Sequence, residues 1–395
     1  TEEQYQEFFS HIGAGFGKPL LTMHNNTEGT ISYTNLICVP STRPFDLFNP
    51  DRKSSLKLYI NRVFITDKCD ALVPSYLRFI KGLVDTQDID LNVSREMLQN
   101  NPAVSKISKS LVGKILRELK KVSEKNVDGY KSFWKEYGAV LKEGLYEDAE
   151  RKETLLDLCR FSTNENDEIM SLSSYLEKMP ENQKDIYYIS AETRSQALAS
   201  PHLEGFKSKN IPVLIMTDAI DQFWLPMIGS FKDKKFTSIT QGQINLDDLD
   251  EKNKDKKSDS KDQKEKQDKE FVDLIAQMKV VLGEQVKDIR LSSKLTDSPV
   301  CLVADDGDMD IAMEQLMAQR DTNYKGAPRI LEINGDHSLI KNMKSLLSKK
   351  ENNDLVSDAG TLLFEQARLL EGKMPADPAQ FSKIMNQFLL KAIPE

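Results

Sequence analysis

The chain has 395 residues and a mass of 44.9 kDa, more than one ordinary domain holds. Its 54 Lys and Arg stand against 62 Asp and Glu, and the net charge of -8 argues against a general nucleic-acid binder. No apolar run approaches the ~20 residues of a membrane span. The cysteines, Cys38, Cys69, Cys159 and Cys301, stand too far apart for a CxxC zinc site, and a chain of this size is not expected to need a disulfide scaffold, so a reducing cytosol fits.

In chain order, Thr1-Glu2-Glu3-Gln4 opens without an initiator Met or a basic-then-apolar signal, as expected of a piece of a longer protein. Residues 31–39, 56–65, 186–190 and 211–217 have the length and punctuation of strands. Residues 106–122 and 128–142 have helical spacing. Ser190 reads as the N-cap of a helix reaching Ala199, closed off by Pro201. Strand and helix in alternation imply α/β layers.

Residues 247–270 break the pattern: 18 of the 24 are charged, ten acidic and eight basic, with Leu249 the lone apolar residue. Such a segment cannot bury enough surface to offset its ordering entropy. It reads as a hinge or a long surface loop, though mixed signs at this spacing also suit a solvated helix. Beyond it, 271–282 is helical, and 300–304 and 329–334 look like strands. Two punctuated helices end the chain. Leu355, Ala359, Leu362, Leu363, Ala367 and Leu370 share one face, with Gly372 at the C-cap. Asp377 then caps, Pro378 takes the first helical position, and Phe381, Ile384, Met385, Phe388, Leu389 and Ala392 form a stripe.

The fold expected is α/β (α+β): two α/β layered units joined by helices, then a smaller α/β C-terminal domain. The boundaries are a middle part over 1–245 (larger unit 1–125, helical connector 126–154, smaller unit 155–245), a charged linker over 246–270, and a C-terminal domain over 271–395.

The chemistry is sparse. His11, His24, His202 and His337 lie in no ligand spacing, so no metal site is expected. There is no GxSxG elbow and no GxxxxGK[ST] loop, and Gly13-Ala14-Gly15-Phe16-Gly17 lacks a preceding strand. Taken alone, Arg95 reads as a solvated surface arginine.

The stretch 82–99, GLVDTQDIDLNVSREMLQ, resembles the most distinctive part of the middle domain of heat-shock protein 90 chaperones. So do Pro44-Phe45-Asp46-Leu47-Phe48, residues 56–65, Pro74-Ser75-Tyr76-Leu77-Arg78-Phe79, Phe133-Trp134, Ser200-Pro201-His202-Leu203-Glu204, residues 286–291 and Met385-Asn386-Gln387. The likeness runs in order along nearly the whole chain and is greatest to the bacterial members.

The resemblance implies a chaperone whose N-terminal ATP-binding domain lies upstream. The full-length protein would be an ATPase using ATP and Mg²⁺, with no cofactor held by this chain, which alone would be inactive. Arg95 matches the arginine that contacts the ATP γ-phosphate, a role that suits a guanidinium fork. Gln99, four residues on, would share a helical face with it, and Asn92 matches a loop position that helps hold the arginine. For client proteins, Phe223, Trp224 and Met227 match one contact region. A second is a methionine stripe, Met309, Met313, Leu316 and Met317, behind an Asp308 cap. Core packing is the competing reading of both. The last two helices can pack on their own domain or on a twin. The family favours a homodimer, with Leu362, Phe381, Met385, Phe388 and Leu389 near the seam. The implied partners are non-native clients and the chain's own nucleotide domain, with neither nucleic acid nor membrane, in the cytoplasm. An ATP-independent dimeric holdase is the alternative, and a mitochondrial relative is an open variant.

Overall fold

The computed structural model describes residues 1–12, 18–49, 55–91, 98, 100–246, 257–321, 324, 326–347 and 353–393, with the backbone alone at 55 and over 257–269. The chain divides into two compact units. One comprises Thr1–Arg160, Ile169–Ser173 and Phe223–Phe231; the other comprises Phe161–Glu168, Ser174–Gln222 and Lys232–Glu395.

The first unit is built on a mixed sheet. Its strands run in the order Leu21–Thr27, Tyr33–Val39, Lys81–Thr86, Ser55–Ile60, Val63–Thr66. Ser55–Ile60 and Lys81–Thr86 are parallel, and the other pairs antiparallel. The expected strand over 56–65 is a hairpin, because Asn61 and Arg62 turn it at φ 52° and 66°. Gly82 sits in the sheet at φ 136°, where a β-carbon would collide with the Leu36 carbonyl of the neighbouring strand. Only glycine meets both conditions there.

Helix Pro102–Lys125 begins four residues before the expected start. The Asn101 side chain accepts from the Ala103 and Val104 amides, and Pro102 occupies the first position. Val104, Ile107, Leu111, Ile115 and Leu119 are buried at helical spacing. Helix Val127–Glu147 follows at once, capped by Asn126, and buries Phe133 and Tyr137 against Phe79, with ring centroids 5.7 and 4.6 Å away. Arg78 fastens this arrangement. Its guanidinium donates to the Leu47 carbonyl (2.9 Å), to the Ser75 carbonyl (3.0 Å) and to both oxygens of Glu143. A bidentate pair fixes direction as well as distance.

In the second unit, Ile186–Ser190 lies between Leu214–Met216 and Lys234–Ser238, parallel to both. Ser190 therefore ends a strand, and the cap expected there is Thr193, whose side chain accepts from the Gln196 amide ahead of helix Arg194–Leu198. A second sheet runs Val286–Leu291, Arg329–Ile333, Val300–Val303. Phe271, Leu274, Leu331, Ile333, Ile340, Val356 and Phe364 make its buried core. From Lys257 the charged run is helical and continuous with the expected helix, as Lys257–Leu282; residues 247–256 lie outside the described residues.

Residues from both sides of the charged run share this unit, and polar contacts tie them. The Glu204 carboxylate accepts from the amides of Thr296 (2.9 Å), Asp297 (2.8 Å) and Ser298 (3.0 Å) and from the Ser298 hydroxyl. Asp310 accepts from Ser238 and Thr240, and the buried Lys294 ammonium donates to the Ile239 carbonyl at 2.8 Å. Thr240 accepts from the Ala304 amide at 2.9 Å through its carbonyl.

Candidate functional site

Asn92, Arg95 and Gln99 lie outside the described residues, but the segments on both sides of them are firmly held. Upstream, Thr86 Oγ1 donates to the Ser32 carbonyl (2.8 Å) and accepts from the Asp88 amide (3.2 Å), while the Asp88 carboxylate accepts from the Ser32 amide. Ile89 is buried and Leu91 half exposed. Downstream, Leu98 is buried and Asn101 caps the next helix. Described residues on either side of these positions, Thr86–Asp88 before them and Asn101 after them, are thus held by hydrogen bonds.

The first expected client region falls on helix Asp221–Ile228. Phe223 and Met227 stand four residues apart, on one helical face. Phe223 is half-buried with its ring edge toward Tyr146 (centroids 6.4 Å apart, 78° between planes), and Met227 is 60% exposed. Trp224 is fully buried, so its indole faces the interior. Of the two aromatic residues, Phe223 is the one that reaches the surface.

The methionine stripe is rearranged at its start. Helix Ile311–Arg320 is capped by Asp310, whose side chain accepts from the Ala312 amide, so Met309 precedes the helix and Asp308 is not its cap. Asp308 instead accepts from Lys287 Nζ at 2.9 Å, alongside Asp305 at 2.8 Å, and the two carboxylates raise the Lys287 pKa. Met309 is exposed, while Met313, Leu316 and Met317 are half-buried. The buried helical face carries Ile311 and Glu314, and Glu314 pairs with buried Arg329 and with Lys373 (3.0 Å).

At the chain end, helix Asn353–Leu370 buries Val356, Ala359, Leu363, Phe364 and Ala367. Leu362 is half-buried beside them, and Gly372 follows at φ 75°. In helix Pro378–Ala392 the Asp377 side chain accepts from the Ala379 and Gln380 amides, as expected. Ile384 is buried, Phe388 packs on the domain core and Phe381 is half-buried. Met385 (40%) and Leu389 (49%) are exposed, together with Leu390 (77%) and Ile393 (71%). The expected stripe therefore splits into an inward line and an outward line. Leu390 and Ile393 were missed because they lie off the stripe; the signal for them was the consecutive pair Leu389-Leu390.

No helix among the described residues is long and apolar enough to cross a membrane, and none of these residues form a cluster of three or more potential metal ligands.

A model of the family "Hsp90 protein" matches residues 1–394. The relatives are proteins called "Chaperone protein HtpG". That of Roseobacter denitrificans is 44% identical over 395 residues, which are 100% of this chain and 63% of the relative. That of Paramagnetospirillum magneticum is 45% identical over 393 residues, covering 100% and 63%. That of Wolbachia pipientis wMel is 41% identical over 395 residues, covering 99% and 61%. The chain spans less than two thirds of the length of each. A family match over residues 1–394, with relatives 41–45% identical along 99–100% of the chain, leaves one conclusion: the chain belongs to the Hsp90 family of chaperones.

Proposed function

We propose that this chain forms the middle (1–245) and C-terminal (271–395) parts of a dimeric, ATP-driven chaperone clamp of the cytoplasm, joined by the charged linker 246–270. The family match along the whole chain carries this reading. ATP and Mg²⁺ are held by a nucleotide domain elsewhere in the full-length protein, and Arg95 reaches the γ-phosphate from this side. Gln99, four residues on, and Asn92, three residues before, are the residues proposed to support it. Negative charge spreads over the phosphate oxygens in the transition state, and an arginine fork matches that spread. Lent from a separate domain, the arginine makes hydrolysis depend on docking. The hydrogen bonds that hold Thr86–Asp88 and Asn101, on either side of these residues, support such a presentation.

Clients bind through Phe223 and Met227 and through Met309, Met313, Leu316 and Met317. Methionine is polarizable and adaptable, which suits surfaces of many shapes. The dimer seam is the outward line of the last helix, Met385 and Leu389, with Phe381, Phe388 and Leu362 behind it. A twofold seam is self-complementary, so one line serves both chains. The exposure of these apolar groups also favours a second reading, a dimeric holdase that needs no ATP.

Three experiments test the reading. In the full-length protein, Arg95→Ala is expected to lower ATP hydrolysis at least ~10-fold with ATP binding retained, given the roughly 10³–10⁵-fold that arginine fingers supply. Hydrolysis at the wild-type rate would leave the holdase. Met385→Asp with Leu389→Asp is expected to give monomers in sedimentation, and an unchanged dimer mass would refute the seam. Met227→Gln is expected to weaken suppression of client aggregation while stability stays within about 0.5 kcal/mol. Trp224→Ala, by contrast, should cost about 3–5 kcal/mol as a core truncation. Full protection by the Met227 variant would remove that surface from the account.

A further inference from the structure

A cavity of about 70 Å³ lies within the second unit, bordered by the Ile186–Ser190 strand end, the Ser200–His202 turn, Leu302, helix Ile311–Arg320 and the end of helix Asn353–Leu370. Its walls are of two kinds. Ile189, Leu302, Ile311 and Leu370 supply an apolar side. Ser190, His202 and Glu371 supply a polar side together with Gln196, Ser200, Thr240 and Gln315, and at the first three the hydrogen bonding is incomplete. Ser190 Oγ, His202 Nδ1 and both carboxylate oxygens of Glu371 are buried, with no hydrogen-bond partner among the described residues.

Such groups are rare in folded proteins, because each carries its full desolvation penalty. What they lack is specific. The His202 ring hydrogen-bonds the Leu302 carbonyl, and burial followed by the nearby Lys294 holds its pKa well below the usual range, so the imidazole is neutral. With Nδ1 unpartnered, it is Nε2–H that serves the carbonyl, which leaves Nδ1 a bare acceptor. Burial pushes the Glu371 carboxyl up to about 7 despite Lys373, Arg329 and Arg368 nearby. Those cations make their hydrogen bonds to other groups, although Arg329 Nε is left without a partner among the described residues. Lys373 donates to Glu314 at 3.0 Å and stands 3.9 Å from Glu371; Arg329 donates to Glu314 and to the Met309 carbonyl; Arg368 pairs with Glu365. The unpartnered groups of the polar wall are therefore acceptors and one hydroxyl, and what they lack is an N–H donor: the Gln315 amide, which also lines the cavity, donates to the Glu371 backbone carbonyl instead. The volume holds roughly five water-sized groups.

We infer that this cavity is a binding site for a primary alkylammonium of about four carbons, its N–H donors on Glu371 and His202 and its chain along Leu302, Ile311 and Leu370. An occupant would join the Ser200–His202 turn to the end of helix Asn353–Leu370, and so would stiffen the base from which the last helix projects. The site does not depend on the ATP-clamp reading.

The test titrates the 395-residue chain with n-butylammonium chloride, followed by ligand-observed NMR, with n-butanol and n-butyrate as neutral and anionic matches of the same length. Saturable binding is expected for the ammonium alone, weakened at least ~10-fold by Glu371→Gln, a change that keeps the side-chain volume. A further arm uses Nα-acetyl-lysine methylamide. Tighter binding of that compound upholds the site and places the ammonium on a peptide; tighter binding of butylammonium upholds it as a site for a free amine. No saturable binding, equal binding of butanol, or undiminished binding to the Glu371 variant would overturn the inference and leave a cavity filled by water. The comparison with butanol and butyrate needs no variant, so it decides the question even if Glu371→Gln fails to fold.

Discussion

One carboxylate organises the second unit. Glu204 receives three backbone amides and a hydroxyl from residues 296–298, more than ninety positions away in sequence. Hydrogen bonds to an ionised acceptor are the stronger kind, and several on one group position a loop in all directions. Asp310 and Lys294 extend the same join, each reaching residues 238–240 from beyond the charged run. Mixed-sign residues 247–270 have no core to contribute. These polar contacts hold together what that stretch separates in sequence.

The consequences extend to the surfaces on which the functional reading rests. Asp310 caps helix Ile311–Arg320, so the residue that ties the helix to Ser238 and Thr240 also sets where Met313 and Met317 stand. Glu314 on that helix pairs with Arg329 and Lys373, and Lys373 follows helix Asn353–Leu370. The acceptor-rich cavity lies among the same elements. Its Ser190, His202 and Glu371 atoms have hydrogen-bonding capacity left over among the described residues, as does Arg329 Nε beside it.

Much of the architecture could be read from residue order. The Asp377-Pro378 start, the Gly372 end and strand 186–190 rest on local chemistry that nothing long-range contradicts. The errors have a common cause. Ser190 and Thr193 are equally good caps in isolation, and the choice falls to Thr193 because Ser190 is held in register with Met216 on a neighbouring strand. Asp308 and Asp310 present the same tie, which breaks because Lys287 takes Asp308. Trp224 reads as exposed or buried with equal ease, and only the fold decides. Glu371 looks like an ordinary acid after a helix, and its burial depends on residues far away. The reading of Arg95 rests on family likeness alone, since a single arginine has no local signature.

The Glu204 join is tested most directly by its response to protonation. Partial burial by itself would raise the pKa of this carboxyl, but the bonds from Ser298, Asp297 and Thr296 outweigh it and hold the value below the ordinary 4.5. A depressed folded pKa gives stability that is present above the unfolded value and lost as pH falls through the folded one. Amide hydrogen exchange of Ile189 and Leu331, one on each sheet of the second unit, should be compared in wild type and Glu204→Gln from pH 7 downward. The account predicts that the variant opens more readily at both amides at pH 7, by about 1–2 kcal/mol, and that the difference shrinks in acid as the wild-type carboxylate is protonated. Equal protection of the two proteins at pH 7, or a loss confined to one of the two sheets, would contradict it.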